Sequence, residues 1–214
     1  ERLINFVKEH AKCAVLISGR GNNFLYIDDS ADWNKTLSVI INGKTDKISA
    51  CNALDKILIS KNIANYNTKL VQLQTVLKER NVTILVDEDV KKVLTDEALI
   101  PEASVWKEEF LALKCCIGAV NNLNEAIEII NEHSGGHSAA IMTKNDDNAN
   151  NFMQQVDCAA VYKNASTRFT DGGQLGVGAE LAISTDKLHH RGPLGLKKLV
   201  TNKYYIYGDG TVRA

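Results

Sequence analysis

Cys51 carries the first chemical possibility in this chain. It stands in Ser49-Ala50-Cys51-Asn52-Ala53, among small side chains that leave a sulfur approachable. A thiolate rather than a thiol is the nucleophile, and backbone N–H groups at a helix start favour it. The segment Leu54-Asp55-Lys56-Ile57-Leu58-Ile59 follows, and it opens either as a turn of helix or as a strand. A helical opening lowers the Cys51 pKa. The alternative is a buried cysteine acting as a small hydrophobe. Asn52 either faces a substrate or caps that helix start. A second reactive stretch is Asn164-Ala165-Ser166-Thr167-Arg168-Phe169. Ser166 and Thr167 can donate hydrogen bonds to a carboxylate or phosphate, and Arg168 can grip either with two N–H groups. The alternative for Arg168 is a surface ion pair. This stretch leads from a strand end into a loop, the usual place of a substrate site in an α/β domain.

Alternating strands and helices must position these groups. Leu3, Phe6 and Val7 have helical spacing within residues 2–10. Cys13–Ile17 and Phe24–Ile27 read as strands. Gly19-Arg20-Gly21-Asn22 between them reads as a tight turn, since the full dinucleotide fingerprint is absent. Asp28 to Asp32 offer caps for a helix over 30–42. Residues 67–79 form an amphipathic helix and 82–86 a β-branched strand. A short helix follows at 87–94, then a loop at 99–107 and a long strand at 110–120. Residues 124–132 and 145–155 are helices; 138–143 and 158–162 are strands. Residues 172–178 are a glycine-rich loop. Tyr204-Tyr205-Ile206-Tyr207 with Gly208-Asp209-Gly210 turns like a hairpin or an arm. This order implies an α/β sheet with helices on both faces.

Composition narrows the class. The 214 residues are 44% apolar and 24% charged, with a net charge of −1. That balance is ordinary for a globular protein and points to no nucleic-acid partner. No apolar run reaches the roughly 18 residues of a membrane span, so no membrane partner is expected. Five cysteines and no secretory signal imply reduced thiols and a cytoplasmic setting. Neither Cys-x-x-Cys nor His-Glu-x-x-His occurs, and no metal is expected.

Three separated blocks carry a resemblance. The first is Asn42-Gly43-Lys44-Thr45 with Ser49–Ala53. The second joins Asn164–Phe169, Asp171-Gly172-Gly173 and Gly176–Thr185. The third is His189-His190-Arg191-Gly192-Pro193-Leu194-Gly195-Leu196. Together they resemble the gamma-glutamyl phosphate reductases of the aldehyde dehydrogenase superfamily. The resemblance implies a three-layer α/β/α catalytic domain with a C-terminal β arm. It implies NADPH-dependent reduction of L-glutamyl 5-phosphate to L-glutamate 5-semialdehyde, a step of proline biosynthesis, through a thioester on Cys51. Asn52, Ser166, Thr167 and Arg168 would bind substrate. Glu109 and Phe110 resemble the segment that contacts the nicotinamide ribose. Residues 1–18 would be the tail of a nucleotide-binding domain, 19–190 the catalytic domain and 191–214 a return segment and oligomerisation arm. A homo-oligomer is implied, and a glutamate kinase partner or fusion is an open possibility. His189 and Arg191 look structural in this family. Two positions depart from its pattern: Ser18 stands where an acid is common, and Ile48 where a proline is usual. A reductase has no need of an acid that activates water. The competing readings are a non-catalytic oligomerisation or regulatory fragment and another thiol-dependent aldehyde dehydrogenase.

Overall fold

The structure, a computed structural model, describes residues 2–187 and 189–213. The expected range ends at Glu1 and Ala214 lie outside these. Helix α1 (Arg2–His10) buries none of its residues. The body is a seven-stranded sheet. Its strands are β1 (Asn23–Ile27), β2 (Leu54–Ser60), β3 (Thr83–Val86), β4 (Ala98–Leu99), β5 (Lys114–Val120), β6 (Ser138–Met142) and β7 (Ala160–Lys163), in spatial order β4-β3-β5-β2-β1-β6-β7. Every ladder is parallel. A second sheet pairs β8 (Glu180–Ser184) with β9 (Gly192–Gly195), antiparallel.

Residues on alternate sides of each strand feed two cores. Leu25, Ile27, Ile57 and Ile59 meet Ile40 of α2 (Trp33–Thr45) and Leu70, Leu73 and Leu77 of α3 (Tyr66–Lys78). The short α4 (Glu88–Lys91) adds Val90 to that side. Phe24, Tyr26 and Ile141 meet Ile127 and Ile130 of α5 (Leu123–His133) and Phe152 of α6 (Asp146–Gln155). The expected three layers are therefore present. Asp32, Asn122 and Asn145 cap α2, α5 and α6 by accepting from the backbone N–H three residues on.

Several local expectations change. Leu54–Ser60 is strand throughout, because all seven residues are buried and both faces are covered. Cys13–Ile17 is not a strand. It has no ladder partner among the described residues, and Cys13 is exposed. The Ile17 carbonyl instead accepts from Thr185 N–H and the Ser184 hydroxyl. The strand expected from Phe110 begins at Lys114, since Leu111 has φ +49° and Phe110 N–H turns to Asp55 at 2.9 Å. Beyond the 3-10 turn at Leu196–Lys198, the described tail has no strand, and Tyr204 to Tyr207 are exposed. An arm of this kind needs a partner edge to become β structure.

One ion pair sits inside the body. Lys44, in the last turn of α2, donates to Asp55 of β2 at 2.7 Å, and both are buried. The other Asp55 oxygen holds Phe110 N–H. One carboxylate thus ties a helix, a strand and a loop. Lys44→Met strands that carboxylate, with an expected cost of about 3–5 kcal/mol. The urea midpoint measures it. Adding Asp55→Leu is expected to recover most of the loss, and a single-variant cost below about 1 kcal/mol would refute the account.

Candidate active site

The reactive segments gather at the amino ends of the parallel strands. Cys51 lies just before β2, Gly21 just before β1, Glu109 in the loop before β5 and His137 just before β6. This corrects the expectation of a site at the strand ends that lead into loops after them. Asn164 does stay at the carboxyl end of β7, bonded to Thr143 at the neighbouring end of β6. The chain then returns past α2, where the Ser166 hydroxyl lies near Gly43, and reaches Asn52.

Asn23 holds the Cys51 loop. Its Nδ2 donates to the carbonyls of Gly21, Cys51 and Ala53 at 2.7–2.8 Å. Its Oδ1 lies 3.0 Å from His137 Nδ1 and 2.5 Å from the Ser138 hydroxyl, which donates to it. Asn23 and His137 are both fully buried. With its ring orientation set by Asn23, His137 leaves Nε2 without a partner among the described residues. Gly21 lies against the same loop: a Cβ there would come within 2.1 Å of the Cys51 carbonyl oxygen. Gly21 is thus required for close approach, a stronger reason than the turn expected there.

Cys51 is half-buried in a turn, closed by Ala53 N–H to the Ala50 carbonyl. No helix starts here, so the expected dipole is missing. Burial pushes the thiol pKa up, and the carboxylates of Glu180 and Glu109 push it further. Arg168 acts in the opposite sense. The expected lowering of the thiol pKa is therefore corrected: its surroundings raise it.

Asn52, Ser166, Thr167 and Arg168 form one latch beside it. Asn52 Nδ2 donates to the carbonyls of Arg168 and Thr170, and its Oδ1 accepts from the Arg168 guanidinium. Thr167 donates to the Asn52 carbonyl at 2.8 Å. The Ser166 hydroxyl accepts from Arg168 N–H. Arg168 Nε donates to Asp46 at 3.0 Å. The helix-cap alternative for Asn52 is excluded by the turn. Arg168 does make an ion pair, and with Asp46 and Asp171 it also lines a cleft of about 250 Å³.

Glu109 lines a separate groove of about 480 Å³ with Arg20, Lys107 and His133. Phe110 is turned away from it. Its ring lies 3.7 Å from the Lys56 ammonium and 4.5 Å from that of Lys114. Lys56 is buried, donates to the Glu108 carbonyl at 2.7 Å, and has its pKa pulled down to about 8 by burial. Asn23, His137 and Glu180 escaped the sequence reading. Glu180 had a signal, since it stands in the Gly176–Thr185 block.

The model of the aldehyde dehydrogenase family matches residues 94–179. A gamma-glutamyl phosphate reductase of Clostridium botulinum is 45% identical over 99% of this chain and 50% of its own length. The crystal structure of the Thermotoga maritima gamma-glutamyl phosphate reductase superposes with a TM-score of 0.91 at 42% identity, covering 100% of this chain and 51% of that one. The chain shares the fold of that reductase. It spans about half the length of the curated relatives it matches. A structure of NADP-dependent glyceraldehyde-3-phosphate dehydrogenase from Bacillus halodurans, complexed with NADP, shares the fold at a TM-score of 0.60 and 20% identity, covering 77% of this chain and 42% of that one. Among the described residues no helix is long and apolar enough to cross a membrane, and no cluster of three or more His, Cys, Asp or Glu is placed to hold a metal.

The buried imidazole has a pH consequence. Burial lowers the His137 pKa from 6.5 to about 4. The unfolded chain therefore takes up a proton near 6.5 that the folded chain refuses until about 4. Stability is full above 6.5 and falls across that window by about 1.4 kcal/mol per pH unit. His133, also lowered by burial, adds to the slope. In His137→Gln the slope of urea stability against pH is expected to shrink by about one proton's worth. An unchanged slope would refute the assignment.

Proposed function

We propose that this chain is the catalytic half of a gamma-glutamyl phosphate reductase. The reaction is NADPH-dependent reduction of L-glutamyl 5-phosphate to L-glutamate 5-semialdehyde with release of phosphate. The observation that carries the reading is continuous identity, at 45% across 99% of the chain, with a reductase of that name. The blocks around Cys51 and Arg168 lie inside that match and meet in space.

The residue types suit the chemistry. The Cys51 sulfur attacks the acyl carbon, and the carbon–oxygen bond to phosphate breaks with its electron pair leaving on phosphate. The resulting thioester holds the acyl group on this chain. The Cys51 backbone N–H is a natural donor to the oxyanion that forms on the way. Arg168 offers its guanidinium toward the cleft, where the substrate carboxylate or phosphate would bind. Ser166, Thr167 and Asn52 support it by fixing the Arg168 backbone and guanidinium. Glu109 faces a groove roomy enough for part of a nucleotide, and its carboxylate suits a ribose hydroxyl. Phe110 shapes the loop that presents Glu109. Glu109 would hold a nicotinamide nucleotide in that groove, and the cofactor would supply the hydride for the reduction. The Bacillus halodurans complex and the family resemblance favour NADPH.

Residues 1–18 fit the tail of a nucleotide-binding domain and 19–190 the catalytic domain. Residues 191–214 fit a return segment and arm, since Tyr204, Ile206, Tyr207 and Val212 present apolar surface for a second copy. A cytoplasmic setting and a glutamate kinase partner would suit the pathway step.

Cys51→Ser, made in an enzyme that carries both halves, is expected to abolish reduction and to leave no glutamyl group on the peptide containing residue 51. The wild type is expected to carry that group, as a hydroxylamine-labile adduct seen by mass, when hydride donor is withheld. Full turnover in the serine variant would sink the reading.

A further inference from the structure

Lys56 is a charged residue inside a core strand. It is fully buried, with Phe24 of β1 and Cys116 of β5 as its register neighbours. A buried ammonium is costly unless its hydrogen bonds are used. Among the described residues no carboxylate forms an ion pair with it; the neighbouring Asp55 pairs with Lys44 instead, at 2.7 Å. What Lys56 holds is a loop. It donates to the Glu108 carbonyl at 2.7 Å, and the centre of the Phe110 ring lies 3.7 Å from its Nζ. Asp55 accepts from Phe110 N–H at 2.9 Å. Neighbouring residues of a strand point to opposite faces, so the two side chains reach the loop from both sides of the sheet. Glu109 lies between the two anchored residues. Its carboxylate makes no hydrogen bond or ion pair among the described residues, and it lines the groove of about 480 Å³. The placement of Glu109 therefore comes from the backbone on either side of it. A charged donor holds a carbonyl more firmly than a neutral one, which suits a lysine to this task.

We propose that Lys56 is a positioning residue for the nucleotide site: with Asp55 it fixes the peptide groups on either side of Glu109 and so aims that carboxylate into the groove. This rests on Glu109 holding the nicotinamide nucleotide. Strand β2 then serves both halves of the reaction. Cys51 stands just before it, and Asp55 and Lys56 within it set the loop that meets the cofactor.

The test uses an enzyme that carries both halves and reads two steps separately. Fluorescence titration with NADPH gives the nucleotide Kd. The nitrophenolate burst from 4-nitrophenyl acetate, with peptide mass mapping to residue 51, gives acyl transfer to Cys51 without nucleotide, and its amplitude counts the folded sites. In K56M the Kd is expected to rise about tenfold, from loss of a charge-assisted hydrogen bond. Acyl transfer per folded site is expected to stay unchanged. In E109Q the Kd also rises. In the K56M/E109Q double variant it rises no further than in E109Q, since a residue that acts through Glu109 has nothing left to place. K61M, just beyond the end of β2, leaves both readouts unchanged. If K56M yields no protein with a burst, K56Q, one bond shorter and uncharged, is read by the same criteria. The proposal is overturned if the K56M Kd stays at the wild-type value. A fall in acyl transfer alongside nucleotide binding overturns it too, since that marks a general loss of structure. So does a double variant in which the two effects multiply. An unchanged Kd in E109Q instead removes the Glu109 reading, and this proposal with it.

Discussion

The Asn23 side-chain amide is the interaction on which the site depends. Its nitrogen holds three carbonyls from two loops, and its oxygen is held in turn from β6. A backbone ladder cannot do this, because the Cys51 turn lies before β2 begins. Without Asn23 the buried contacts to the Gly21 and Ala53 carbonyls would lose this donor, each at a cost of about 1–3 kcal/mol. The register shift between Asn23 and Phe24 gives the side chain room to replace the ladder there. Gly21 completes the arrangement by letting the β1 approach lie against the Cys51 backbone.

Around that hub the charges are arranged in pairs. Lys44 and Asp55 neutralise each other where α2 meets β2, and Asp55 steers the loop that carries Glu109. Lys56 reaches that loop from below, with Phe110 covering its ammonium. Arg168 is divided between Asp46 and Asn52, so its guanidinium reaches the cleft already oriented. The thiol is the exception: burial raises its pKa, and the Glu180 and Glu109 carboxylates raise it further against Arg168.

Placing the site at the amino ends of the strands has a geometric reason. Helices α2, α3 and α5 run back along the sheet, so the loops entering β2, β5 and β6 leave helix ends or turns on one edge. The return of residues 164–170 along α2 brings Arg168 to that edge from a strand whose own carboxyl end lies opposite.

The layered α/β fold was legible because its strands are continuous apolar runs and its helices carry periodic apolar faces, two of them behind a recognisable cap at Asp32 and Asn145. Period and capping are local properties, so the strand read at 82–86 and the helices read at 124–132 and 145–155 are found within a residue of those bounds. Cys51, Arg168 and Glu109 were legible as residues able to do chemistry. Which of them share a site, and in what protonation state, was not. Cys13–Ile17 failed to become a strand because pairing needs a partner that only the assembled sheet supplies. The Cys51 pKa is pushed up first by burial under other segments and then by the Glu180 carboxylate, which lies far along the chain. Asn23 and His137 are unremarkable in sequence, since a polar residue shows its role only through the buried groups it satisfies. Sequence by itself determined the layers and the candidate chemistry, through periodicity and residue type. Tertiary structure alone decided the electrostatics of the thiol, because burial and charge act through space and not along the chain.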